Sequence, residues 1–140
     1  MVEFVVGSMA LLLLIFGTVE FGRALSIYHT VSNAARIGSR WAIVRGSASC
    51  TPGLIDHCNA QSTDVATYVQ SQAPIAVDSG SMTVTASWPG GNAGCSSTTD
   101  FHAKGCVVIV TAQYNFKSVL PFISTVTVPM VSSSQMYIAQ

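Results

Sequence analysis

A chain of 140 residues accommodates one domain plus an extended element. Charged residues make up 9% of it and hydrophobic residues 49%, where ordinary soluble domains carry about a quarter charged; the chain either buries an unusual share of itself or sits partly in lipid. Six basic and six acidic residues cancel, so there is no basic field to attract nucleic acid, and the composition is too apolar for an acidic disordered segment.

The first element is one long helix. From Phe4 to Val19 no residue is charged, and Leu11-Leu12-Leu13-Leu14-Ile15-Phe16 forms its apolar centre. That run is about 24 Å long as a helix, a little under the roughly 20 residues that span a bilayer comfortably. Glu3 and Glu20 bracket it. Beyond Glu20, Ala24, Ile27, Tyr28, Val31, Ala34, Ala35, Gly38 and Trp41 recur at steps of three and four, with Asn33, Arg36 and Arg40 on a polar stripe. Arg45-Gly46 reads as the stop. The spacing therefore predicts a helix over about 2–45, roughly 65 Å long, apolar all round over 1–22 and amphipathic over 23–46. Gly7, Gly17 and Gly22 weaken a helix in water. They either let neighbouring helices approach closely or simply reflect the glycine content of membrane helices.

Residues 47–140 read as a β-rich head. A loop over 47–59 carries Pro52-Gly53, and a short helix follows over about 63–72, with Val65, Tyr68 and Val69 inward and Pro74 ending it. Met82, Val84, Ala86 and Trp88 alternate with Thr and Ser, the pattern of a half-buried strand. The Gly-rich run 89–94 opens a polar loop that lasts to Lys104. A second strand is expected over 106–116, a turn at Pro121, and a third strand over 125–138, interrupted at Pro129, which argues for an edge or a bulge there. Trp41, Trp88, Tyr114, Phe116 and Phe122 are expected as core. The expected fold class is α+β, a long N-terminal helix packed on a small antiparallel sheet.

Four cysteines fall into two local pairs, Cys50 with Cys58 and Cys95 with Cys106, neither with C-x-x-C spacing. Beside an apolar leader-like segment they suggest disulfides formed outside the cytoplasm, each stabilising by about 2–3 kcal/mol. The competing reading is a metal site using His57 and His102, but the spacings match no familiar zinc pattern. No Ser, His and Asp arrangement and no phosphate-cradling glycine loop supports catalysis, and no cofactor is expected.

Val2-Glu3-Phe4, the leucine run, and Gly17-Thr18-Val19-Glu20-Phe21-Gly22-Arg23-Ala24-Leu25 resemble the N-terminal signature of TadE-like proteins, the pilin-like proteins of tight-adherence pilus systems. The block from Asn33 to Ala42 is similar to the family's next one, and Tyr114-Asn115-Phe116 with Leu120-Pro121-Phe122 resembles its C-terminal strand-turn-strand. An arginine usual in the last strand of the family is replaced here, at Gln135 or Tyr137. The resemblance implies a secreted, membrane-inserted subunit whose basic leader is removed by a prepilin peptidase. It also implies that a glutamate near the processed N-terminus matters for assembly. Glu3 matches that position, two residues earlier than usual, so that either two residues are missing from the start or cleavage falls at an unusual place.

All four arginines follow the apolar run, which by the positive-inside rule would place the head in the cytoplasm; a Lys/Arg-rich leader upstream resolves the conflict and is expected in the gene. The expected function is a structural subunit of a bacterial surface filament, polymerising with copies of itself through Phe4, Leu11, Leu12, Leu14 and Ile15, with Glu3 setting axial register. Its other partners would be the inner membrane before assembly and the pilus assembly machinery. Glu3 could instead lie at a lipid–water boundary, where the helix dipole favours it. Glu20 and Arg23, three apart, either bridge subunits or form a local pair. A minor, initiating subunit and a membrane-tethered binding domain that never polymerises are the competing functions.

Overall fold

The computed structural model describes residues 2–47, 56–72, 81–119 and 127–139. Helix α1 spans Val2–Ile43, α2 spans Ser62–Ser71, and three strands follow: β1 Met82–Ser87, β2 Val107–Lys117 and β3 Thr127–Tyr137. The fold is α+β, as the periodicities require. The strands form one antiparallel sheet in the order β1-β2-β3. In its register Val84 faces Ala112, Val110 faces Ser134, and Tyr114 sits between Met82 and Met130.

Period-two alternation gives the sheet two unlike faces. Met82, Val84, Ala86, Val108, Val110, Ala112 and Phe116 are buried on one face, and the second half of α1 lies over β2 and β3 there while α2 lies over β1. Ile27, Val31, Ala34, Ala35 and Ala42 of α1 and Val65 and Val69 of α2 complete the same core. Its side chains are mostly small and aliphatic, which brings the helix backbone close to the sheet. Gly38 marks the closest approach: a Cβ there would stand 2.9 Å from methyl carbons of both Val110 and Val69. Nearby, the buried Ser39 hydroxyl bonds the Ser134 hydroxyl at 2.9 Å.

Two expectations about the core are corrected, and one about β3 holds in part. The aromatic residues are not the centre of this core, because Phe116 is buried whereas Trp41, Trp88 and Tyr114 are only half-buried around its margin, and Phe122 lies outside the described residues. Tyr28 points away from the core with 49% of its surface exposed, because Ile27 and Val31 take the inward positions of that turn. Of the expectations for Pro129 the edge position holds, while the interruption does not occur: β3 pairs continuously through the Asn115–Pro129 position. Pro129 occupies an edge-strand position whose missing N–H would have pointed away from β2, so no ladder bond is lost.

The two edges of the sheet differ. At β1, α2 runs alongside the free edge: the Ser62 hydroxyl accepts the Ala86 N–H at 2.9 Å, and the Gln70 amide donates to the Met82 carbonyl at 3.2 Å. At β3 no described residue does the same.

Substituting Gly38→Val should destabilise the head by about 1–3 kcal/mol, because the added methyls meet two valines already in contact. Chemical denaturation followed by tryptophan fluorescence measures this, and a stability within error of wild type would contradict the close approach.

Candidate functional site: the apolar stem and its junction with the head

The first half of α1 stands clear of the other described residues. Its side chains from Val2 to Val19 are exposed apart from the half-buried Ser8, and the 18-residue window that makes this helix long and apolar enough to cross a membrane is 0% buried. Phe4, Leu11, Leu12, Leu14 and Ile15 all lie here; Phe4 is 80% exposed and Ile15, the most covered of the five, still 45%. Water is a poor surrounding for so long an apolar stretch. Covering the remaining surface of each large side chain is worth on the order of 1 kcal/mol, so the stem requires lipid or other helices. Glu3 is exposed in its first turn, where the partial positive charge of the helix N-terminus favours a carboxylate.

The stem ends at a polar clamp. Arg23 Nη1 lies 3.0 Å from Glu20 Oε2, the local pair that their three-residue spacing allows. Both side chains also reach across to the segment after β2. Glu20 Oε1 accepts the Val119 N–H at 3.0 Å, and the Ser118 side chain bonds the same carboxylate. Arg23 Nη2 donates to the Lys117 carbonyl at 3.2 Å, and its guanidinium lies 5.0 Å from the centre of the Phe116 ring. The pair thus ties the end of β2 to the helix at the level where the apolar run stops. Linear sequence offers no signal for these contacts, which join residues more than ninety positions apart.

The loop between β1 and β2 is cross-braced. Cys95 and Cys106 form the expected disulfide. Asn92 donates to the Gly105 carbonyl at 2.8 Å and accepts the Val107 N–H at 3.3 Å. Gly105 has φ +79°, and a Cβ there would collide with the Gly94 carbonyl oxygen, so only glycine fits. Asp100 receives hydrogen bonds from the Ser47 hydroxyl and the His102 N–H, which hold its carboxyl below the usual range. His102 leans on Trp88 at 4.5 Å between ring centres and contacts the Ala60 carbonyl at 3.2 Å. At the other end of α1, which finishes at Ile43 and not 45, Arg45 covers the Trp41 ring at 3.9 Å and Trp41 stacks on Tyr68 at 5.1 Å. Cys58 is disulfide-bonded; its expected partner Cys50 lies outside the described residues.

Among the described residues no group of three or more His, Cys, Asp or Glu side chains converges as metal ligands would. The positions expected to matter are therefore an exposed apolar surface, its terminal carboxylate, and a clamp.

Residues 1–40 match the model of the TadE-like protein family. The match takes in nearly all of α1, with the stem, Glu3, Glu20 and Arg23 inside it. Over this segment the resemblance carried by the leucine run and the Gly17–Leu25 block is borne out. The sheet, the disulfide and the Trp41 corner lie beyond the TadE-like segment. No curated protein and no solved structure matches the chain.

Two outcomes follow from this geometry. Glu20→Ala should speed amide hydrogen exchange at Val119 about tenfold, the scale of one hydrogen bond to a charged group; an unchanged rate would show that the clamp does not hold that segment. For Asp100, a carboxyl held low when folded stabilises above its unfolded value, about pH 3.9, and loses that contribution as pH falls through the lower folded value. Asp100→Asn should therefore weaken the head at pH 7, with the difference shrinking as pH falls below the ordinary carboxylate range, as read from denaturant midpoints across a pH series.

Proposed function

We propose that this protein is a structural subunit of an extracellular helical pilus, polymerising through the stem of α1. One observation carries the reading: a single unbroken helix is core in its second half and, among the described residues, uncovered in its first. Before assembly the stem would hold the subunit in the inner membrane after a prepilin peptidase has acted. In the fibre it would exchange lipid for the stems of other copies at modest net cost, since both surroundings are apolar. Heterologous contacts between copies then generate an open fibre, with the heads outside. Glu3, at the tip of the stem, would contact a neighbouring subunit's terminal amine and set the axial register. The TadE-like match over residues 1–40 supports a place in a tight-adherence pilus system, and the role is structural rather than catalytic.

Shearing cells and quantifying the protein in the pelleted fibres tests this directly. Abundance is the expected result. Traces would instead indicate an initiating component of a pilus built from another subunit. Absence would leave a membrane-anchored binding domain and overturn the proposal. Within the same assay Glu3→Ala should lower incorporation about tenfold, the scale of one lost charged hydrogen bond, with the head's stability unchanged. Wild-type fibre yield from that variant would remove the assembly role of Glu3.

A further inference from the structure

We propose that β3 is a self-recognition edge, through which two copies of this chain join their heads by antiparallel pairing of β3 with β3. The backbone groups of β3 that face outward are fixed by its pairing with β2. Ile138 N–H donates to the Cys106 carbonyl and Gly105 N–H donates to the Ile138 carbonyl, so residue 138 turns its polar groups toward β2. Alternation along the strand then turns those of residues 136, 134 and 132 the same way and those of 131, 133, 135 and 137 outward. On the opposite side of the sheet, the Ala86 N–H pointing to Ser62 confirms the same phase through the Ala86–Val110–Ser134 register.

Exposed edges are ordinarily guarded by charge, by a bulge, by shortness or by a covering element. β1 has α2. β3 runs for 11 residues with no charged side chain, pairs with β2 without a bulge, and has no partner on its outer edge among the described residues. Among the described residues its one guard is Pro129, near its start.

The sequence along this edge fits its own copy. With a two-fold axis at Ser134, the outward-facing residues pair 131 with 137 and 133 with 135, and each of the four positions carries an N–H. That makes about eight new ladder bonds. Pro129 falls beyond the paired stretch and breaks none of them. On the outer face the same register sets Val131, 51% exposed, against Tyr137, 62% exposed, an apolar–aromatic cross-strand pair of the favourable kind. Ser133 meets Gln135, so two polar side chains also face each other. No like charges meet, as they would if the strand carried charge and paired with itself. A two-fold contact closes on two copies; it does not propagate a fibre and does not depend on one.

The test uses the full chain in detergent micelles, with self-association followed by sedimentation and amide hydrogen exchange read at residues 131, 133, 135 and 137. The expected result is an associated form in which these four amides are slowed relative to the dilute protein. The double variant Ser133→Lys/Gln135→Lys sets like charges opposite one another and should weaken association about tenfold, while Ser133→Lys/Gln135→Glu should restore it. Both changes lie on the exposed outer face, and unchanged thermal unfolding confirms that they leave the head intact. Association with the four amides still exchanging freely would assign the contact to the stems and overturn the proposal, as would association insensitive to both double variants. Absence of self-association with slowing only on adding another protein's strand would overturn it too. A failed edge test leaves stem-driven polymerisation untouched, and failure to find the protein in sheared fibres leaves this pairing untouched.

Discussion

The structure turns on a mismatch between one helix and the chain that carries it. A 42-residue helix is longer than the sheet it packs against, and the surplus is the most apolar part of the sequence. A soluble domain would fold such a segment inward. Here the head is already complete without it: Ile27, Val31, Ala34 and Ala35 close the sheet, and nothing in the described residues turns back over the stem. The hydrophobic effect that built the head therefore remains unspent over Val2–Val19, and its satisfaction lies outside the molecule.

That arrangement places unusual demands on the boundary between the two halves of α1. Immediately beyond Val19 the helix passes from an uncovered apolar surface to a folded head, and the helix backbone itself gives no reason for the head to begin there. Glu20 and Arg23 supply one. A carboxylate that gathers an arginine, a backbone N–H and a hydroxyl, beside a guanidinium that also reaches a carbonyl and an aromatic ring, fixes the end of β2 against one turn of the helix. The small core side chains serve the same end higher up, since Gly38 and the alanines let the helix lie close enough for Ser39 to reach Ser134.

Much of this was legible in the chain itself, and unevenly so. The helix, the alternation of β1 and the Cys95–Cys106 pair announce themselves through period, propensity and spacing, all local properties. The margin of the core did not. Trp41 and Trp88 are the largest apolar side chains and by size alone belong inside, yet the narrow gap between helix and sheet admits valine and alanine, and the rings are left to stack at the corners with Arg45, Tyr68 and His102. Tyr28 shares the apolar period but sits one position off the inward line. The clamp was half visible: Glu20 and Arg23 read as a pair from their spacing, while Lys117 and Val119, their partners across the fold, left no trace that a single sequence could reveal. The cover that Ser62 and Gln70 provide to β1 belongs to the same class, a contact made by topology and not by pattern.

Because α1 runs unbroken from the stem into the head, without a flexible linker between them, the stem also acts as an angular setting. Each helical residue advances the chain by about 1.5 Å and turns it by about 100°. A single residue added or removed between Val19 and Glu20 would swing the whole sheet to a different side of the stem while lifting it hardly at all. The number of residues below the clamp thus fixes which way the sheet's outer face looks, so length in the stem is a matter of direction as well as reach.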